Sequence, residues 1–372
     1  MKKTIVAILL VCLVLLSFAG CKKTDTPATS EAATAAATAA AATAAATENA
    51  SAPAEESSQA PAAEEDYIKP AKAYTIGYVQ GGADAYYQMQ ADAAKYTADK
   101  LGINMIFSNS EMKAEKELAA VENFIQQKVD AIVVFTASAE TSQIGAQKAN
   151  EAKIPFFIVG SEAAEGPGVV TSTIKGNFVT GGQMLGKYVA ENLPGSKVAI
   201  VQGALGQGIA EPFTDGFTEA LGDKGEVVLT AATDWSAAKS EEVVNAWMAS
   251  YKEGDYDVIY AMNADVYLGT VKALESAGKL NNPIKIVTHN GREEDLDGVA
   301  QGKALATLAN SPTYEAGIML RIVVAALNGE EVPKIVETPF VMVTKDNLDE
   351  AFGWALESSW KGYVSGEYTT AE

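Results

Sequence analysis

From Tyr74 onward, short apolar runs alternate with stretches whose apolar residues recur at helical spacing. Tyr74–Val79 reads as a strand and Ala85–Leu101 as a helix stopped by Gly102. Ile103–Ser108 reads as a strand, and Lys113–Gln127 as a helix with Leu118, Val121, Phe124 and Ile125 along one face. Strand Ala131–Phe135, helix Glu140–Glu151 and strand Phe156–Val159 follow. The alternation resumes with helix Thr180–Asn192, strand Lys197–Val201, helix Ile209–Leu221, strand Glu226–Thr230 and helix Lys239–Lys252. Strand Val258–Ala261, helix Val266–Ala277, strands Ile284–Thr288 and Ala304–Ala309, and helix Pro312–Leu327 complete it. Strands alternating with helices of this length predict βαβ units, and so parallel sheets covered by helices on both faces. Right-handed crossovers then place the loops that follow the strands along one edge. The stretch suits two domains of about 150 residues each. The predicted fold class is α/β: two doubly wound parallel-sheet lobes with a cleft where their loops meet.

The N-terminus reads differently. Lys2 and Lys3 precede an uncharged apolar run, Ile5 to Ala19. That run is short of the about 20 residues a bilayer span needs and matches a signal-peptide core. It ends in Phe18-Ala19-Gly20-Cys21, which resembles a bacterial lipobox. Residues 1–20 are therefore expected to be a signal peptide and Cys21 a lipidated N-terminus, its two acyl chains sufficient for stable anchoring. Residues 21–73 hold an Ala/Thr-rich tract followed by Ser, Pro and acidic residues. This composition offers no apolar face to bury and predicts a disordered tether reaching about 40 Å.

Charge narrows the function. Lys and Arg total 28 against 48 Asp and Glu, for a formal net charge of −20. Binding to nucleic acid rests on clustered cations, so it is excluded, as is a purely electrostatic hold on anionic lipid. The lone His289, with Cys12 and Cys21 as the only cysteines, leaves no ligand set for zinc. No G-x-S-x-G elbow, phosphate loop or ordered dinucleotide fingerprint occurs, and Gly203–Gly208 reads as a glycine-rich turn. No metal, no cofactor and no catalytic residue is expected.

Polar and aromatic residues collect just beyond the predicted strands. Asp84, an N-cap candidate, precedes Tyr86 and Tyr87. Asp234-Trp235, Asn263-Ala264-Asp265, His289-Asn290-Gly291 and Asn310 each follow a strand. Their recurrence at strand ends points to a ligand cleft.

Ile76-Gly77-Tyr78-Val79, Asp84-Ala85-Tyr86-Tyr87, Ile154–Val159, Tyr260–Asp265, Leu268-Gly269 and Ala273–Gly278 occur in an order that resembles type I periplasmic binding proteins of the ribose/galactose group. The resemblance covers about Tyr74 to Asn347. It implies a non-enzymatic, extracytoplasmic receptor, anchored to the cell membrane by lipid alone, monomeric, that delivers a small polar, sugar-like solute to the permease of an ABC importer. A ligand sensor for a receptor kinase or chemoreceptor is the alternative output, and a nucleoside or cationic amine the alternative ligand. Three crossovers are implied near Gly176, Asn310 and Thr338. They divide the chain into an N-lobe of 74–175 plus 311–337 and a C-lobe of 176–310 plus 338–372. By similarity, Tyr86, Tyr87 and Trp235 sandwich the ligand, while Asp84, Asn263 and Asn310 hydrogen-bond to it. The chain departs from the family pattern where sugar binders carry Asp-Arg, here Gly160-Ser161 followed by Glu162. It departs again where they carry Arg, here Glu211, and Asp, here Asn290. Ser161, Glu162, Glu211, Asp265 and Asn290 complete the expected ligand-binding set. The lost cations predict a neutral-to-acidic pocket that disfavours anionic ligands.

Overall fold

Strand and helix alternate in two runs, each of which folds onto its own sheet. The structure, a computed structural model, describes residues 67–366 and 368–371. The predicted signal peptide, Cys21 and most of the tether lie outside the described residues. The first run is β1 (Thr75–Gln80), α1 (Ala85–Leu101), β2 (Asn104–Asn109), α2 (Ala114–Gln127), β3 (Ala131–Val134), α3 (Ala139–Glu151), β4 (Phe156–Val159) and β5 (Ser172–Gly176). The second is α4 (Phe178–Asn192), β6 (Ser196–Gln202), α5 (Ala210–Leu221), β7 (Gly225–Ala232), α6 (Ala237–Ser250), β8 (Val258–Ala261), α7 (Ala264–Ser276), β9 (Lys285–Asn290), α8 (Glu293–Ala300) and β10 (Ala306–Ala309). The chain then continues through α9 (Pro312–Leu327), β11 (Ile335–Thr338), β12 (Val341–Thr344), α10 (Glu357–Ser365) and β13 (Thr369–Ala371).

One sheet has the order β13-β11-β5-β4-β3-β1-β2, the other β12-β10-β9-β8-β6-β7. Each is parallel except for one edge strand, β13 against β11 and β12 against β10. Helices cover both faces, so central strands such as β3 (AIVV) and β4 (FFIV) are buried at every position. The chain crosses between lobes after β5, after β10 and between β11 and β12. Those points coincide with the expected crossovers near Gly176, Asn310 and Thr338.

One boundary needs correction. The segment 338–372 does not stay in the C-lobe. After β12 the chain crosses back a fourth time, and α10 packs on α9 and α1 of the N-lobe before β13 joins that lobe's sheet. Burial drives this return. Tyr363 is fully buried, and the Ser359 hydroxyl shares a hydrogen bond with Thr97 Oγ1 at 2.7 Å. The end of the expected tether is also part of this lobe. Tyr67 packs edge-on to Trp360 at 5.1 Å, and Ala71 N donates to Asn328 Oδ1 at 2.9 Å. No helix among the described residues is long and apolar enough to cross a membrane.

Candidate ligand-binding cleft

The cleft is built at the C-terminal ends of the strands, where each chain reversal carries a side chain inward. After β1, Asp84 caps α1, its Oδ1 accepting from Tyr86 N at 3.0 Å and Tyr87 N at 3.3 Å. Both tyrosine rings then reach the cavity, set edge-to-face 6.5 Å apart. Phe135, after β3, lies 4.6 Å from the Tyr87 ring. Gly160, after β4, has φ 64°, and a Cβ there would stand 2.2 Å from the Phe135 ring. The ring therefore takes the space a side chain at 160 would need.

From the C-lobe come Phe178, Ile209, Phe213, Trp235 and His289. Phe213 stacks on His289 with centroids 4.4 Å apart. Trp235 is only 7% exposed, because its ring lies on Gly203, where a Cβ would be 2.1 Å away. Its Nε1 donates to Gln207 Oε1 at 2.8 Å, and Gln207 Nε2 donates to Thr136 O of the N-lobe at 2.9 Å. Ala139 N also donates to Gly206 O at 3.1 Å. The glycine-rich turn thus bridges the two lobes.

The polar groups divide by lobe. Asn263 spends Oδ1 capping α7 through Val266 N at 2.8 Å, which leaves its amide hydrogens. Its φ of 90° and the 108° of Asn290 are backbone strain at the cavity wall. The buried Tyr260 hydroxyl lies 2.8 Å from His289 Nδ1. With Tyr260 donating there, the ring proton stays on Nε2. Burial pushes the His289 pKa down to about 3 and keeps it neutral. Asn310 Nδ2 donates to the Tyr86 hydroxyl at 3.0 Å, while its Oδ1 is buried with no partner among the described residues. The Tyr86 hydroxyl donates to Glu315 Oε2 at 3.2 Å, as does Gln90 Nε2 at 2.6 Å. Burial pushes the Glu315 pKa up to about 8 and that of Asp84 up to about 6, the backbone bonds at Asp84 pulling partly back. The space between these groups not filled by protein atoms, open mouth included, is about 510 Å³.

Asp84, Tyr86, Tyr87, Trp235, Asn263, Asn290 and Asn310 all line this space. Four expected residues do not. Ser161 is fully buried behind it, accepting from Thr136 N at 3.1 Å and donating to Val159 O at 3.2 Å. Glu162 pairs with Lys175. Asp265 receives the fork of Arg292 at 3.1 and 3.3 Å. Glu211 accepts from Gly206 N at 2.7 Å and so stabilises the bridging turn rather than facing the cavity. A second acid, Glu315, lines the cavity besides Asp84, and sequence reasoning missed it along with Phe135, Phe178, Ile209 and Phe213. Phe135 and Phe213 carried a faint signal, each being an aromatic at or just past a strand end or helix start.

A family model described as periplasmic binding protein domain matches residues 76–331. The chain belongs to this family. The binding protein is 28% identical over 243 residues to the ribose import binding protein RbsB of Salmonella typhimurium, covering 65% of this chain and 80% of the relative. It is 24% identical over 250 residues to the galactofuranose-binding protein YtfQ of Escherichia coli, covering 65% and 79%. Among solved structures, an ABC transporter solute binding protein from Bacillus halodurans with bound myo-inositol superposes with a TM-score of 0.69 at 26% identity, covering 74% of this chain and 96% of that one. A Mycobacterium smegmatis protein in complex with β-D-fucofuranose reaches 0.73 at 23% identity, covering 81% and 100%, and shares the fold. The binding protein is thus a type I periplasmic binding protein.

Proposed function

We propose that the protein is an extracytoplasmic receptor that captures a sugar or polyol between its lobes and delivers it to an ABC permease. The observation that carries this reading is a single cavity walled by aromatic rings from both lobes, with polar groups at its strand ends. Aromatic faces stack on the apolar faces of a sugar ring, and the amide, imidazole and carboxylate groups take its hydroxyls. Hinge motion at the crossovers admits and traps the ligand. Binding rather than turnover is supported by the relatives, which are named as binding proteins. RbsB and YtfQ, named for ribose and galactofuranose, support the ligand class and the importer. We read the protein as a monomer held to the membrane through lipid on Cys21.

Calorimetric titration with pentoses, hexoses and polyols tests the reading. A binder should emerge, and Trp235→Ala should weaken it by about 1–3 kcal/mol, the scale of one aromatic stacking platform. No binding by any neutral or substituted sugar or polyol, or unchanged affinity in the variant, would overturn it.

A further inference from the structure

The cavity's acceptors and donors are unevenly placed. Asp84 and Asn310 come from the N-lobe and the hinge and present acceptors, while both oxygens of Glu315 are already taken by Tyr86, Gln90 and Thr338. Asp84 uses only Oδ1 in capping α1, and Oδ2 has no hydrogen-bond partner among the described residues. Asn310 Oδ1 is buried and unpartnered. Opposite them, Asn263 and His289 of the C-lobe present N–H donors, and Asn290 makes no side-chain hydrogen bond among the described residues.

No Lys or Arg is among the described residues that line the cavity. The nearby cations are committed elsewhere. Lys175 pairs with Glu162, and its Nζ lies 5.3 Å from the centroid of the Phe178 ring, itself part of the wall. Arg292 is forked on Asp265 and also bonded to Glu294 at 2.6 Å. Asp84 feels Arg292 only through space, and Asp265, the partner of that arginine, opposes it. A carboxylate in a water-poor cleft without a directly paired cation is unfavourable, and an orphan buried acceptor adds to that. One group supplies both needs: an ammonium, with three donors and a positive charge. The rings beside Asp84, namely Tyr86, Tyr87 and Phe135, offer the π faces that attract such a cation once it is desolvated.

We propose that the ligand carries a protonated amine, as an amino sugar or aminopolyol, with its ammonium against Asp84 and Asn310 inside the aromatic wall. This rests on the sugar-or-polyol reading and sharpens it. An anionic sugar, a phosphate or a uronic acid, finds no cation among the described lining residues, is repelled by Asp84 and is disfavoured.

Calorimetry at pH 7 on matched pairs tests the proposal: D-glucose with D-glucosamine, D-galactose with D-galactosamine, and myo-inositol with its monoamine, alongside neutral pentoses and a sugar phosphate. In the pairs that bind, the amine should win by about tenfold or more. Asp84→Asn retains an N-cap residue of equal quality, and should bring the amine-to-neutral ratio to within about threefold. Circular dichroism of the ligand-free variant checks that it folds, and Asp84→Ser, another good cap, serves if it does not. Neutral sugars binding as tightly as their amines or tighter, tightest binding by the phosphate, or a ratio unmoved by the substitution would each overturn the inference while leaving the sugar reading intact. Failure of every sugar, amine and polyol to bind would instead remove the sugar reading, and this inference with it.

Discussion

Replacing Glu315 by Gln separates the cost of burying a carboxyl from the hydrogen bonds that carboxyl makes. Glu315 is 3% exposed at the start of α9. Its Oε2 accepts from Gln90 and Tyr86, and its Oε1 from Thr338 Oγ1 at 3.3 Å. Burial raises its pKa from 4.5 to about 8, the three hydrogen bonds recovering only part of the shift. A carboxyl whose folded pKa exceeds its unfolded pKa holds its proton more tightly when native. Stability therefore falls as pH climbs from about 4.5 to about 8. At about 1.4 kcal/mol per pKa unit, the full window is worth on the order of 4–5 kcal/mol. At pH 4 the two proteins should be nearly equally stable. Gln Oε1 can take the bonds from Gln90 and Tyr86, and its amide can donate to Thr338 Oγ1. At pH 9 Glu315→Gln should be more stable by a few kcal/mol and melt several degrees higher. Thermal unfolding of ligand-free protein from pH 4 to 9, followed by circular dichroism, reads this directly. Asp84, Glu117 and Asp295 are also raised by burial, to about 6, 7 and 8, but they are common to both proteins and drop out of the difference. A melting difference that stays flat with pH, or a variant less stable at pH 9, would refute the reasoning.

Gly203→Ala places a methyl 2.1 Å from the Trp235 ring, so the ring must swing away, and ligand affinity should fall by about 1–3 kcal/mol in calorimetry; unchanged affinity would remove Trp235 from the wall. Gln207→Ala breaks the bridge from Trp235 to Thr136 O, and small-angle scattering of ligand-free protein should show a larger radius of gyration; identical curves would mean the bridge does not hold the lobes. Cys21→Ser should release the protein into the medium or leave it unprocessed, and a processed, membrane-bound variant would rule out the lipid anchor.

The α/β alternation was legible in the chain because strands buried on both faces must be apolar throughout, as β3 and β4 are, while the helices between them keep one wet face. Local chemistry also located much of the cleft. A residue that ends a strand and caps a helix, such as Asp84 or Asn263, stands at the sheet edge wherever the rest of the chain goes. What lay beyond sequence reach depended on direction and distance. Glu211 and Phe213 are two positions apart on α5, so about 200° of rotation separates them. Only packing decides that Phe213 enters the cavity while Glu211 turns to Gly206. The nine-residue α10, largely polar in sequence, becomes part of the N-lobe because α1 and α9 together offer it a surface. Glu315 reads as an ordinary acid in the first turn of a helix. It becomes the buried acid of the cleft only when α9 packs on α1 within the N-lobe and the end of β11 comes beside it, which brings around it Tyr86, Gln90 and Thr338, residues far from it in sequence whose hydrogen bonds hold it in place of water.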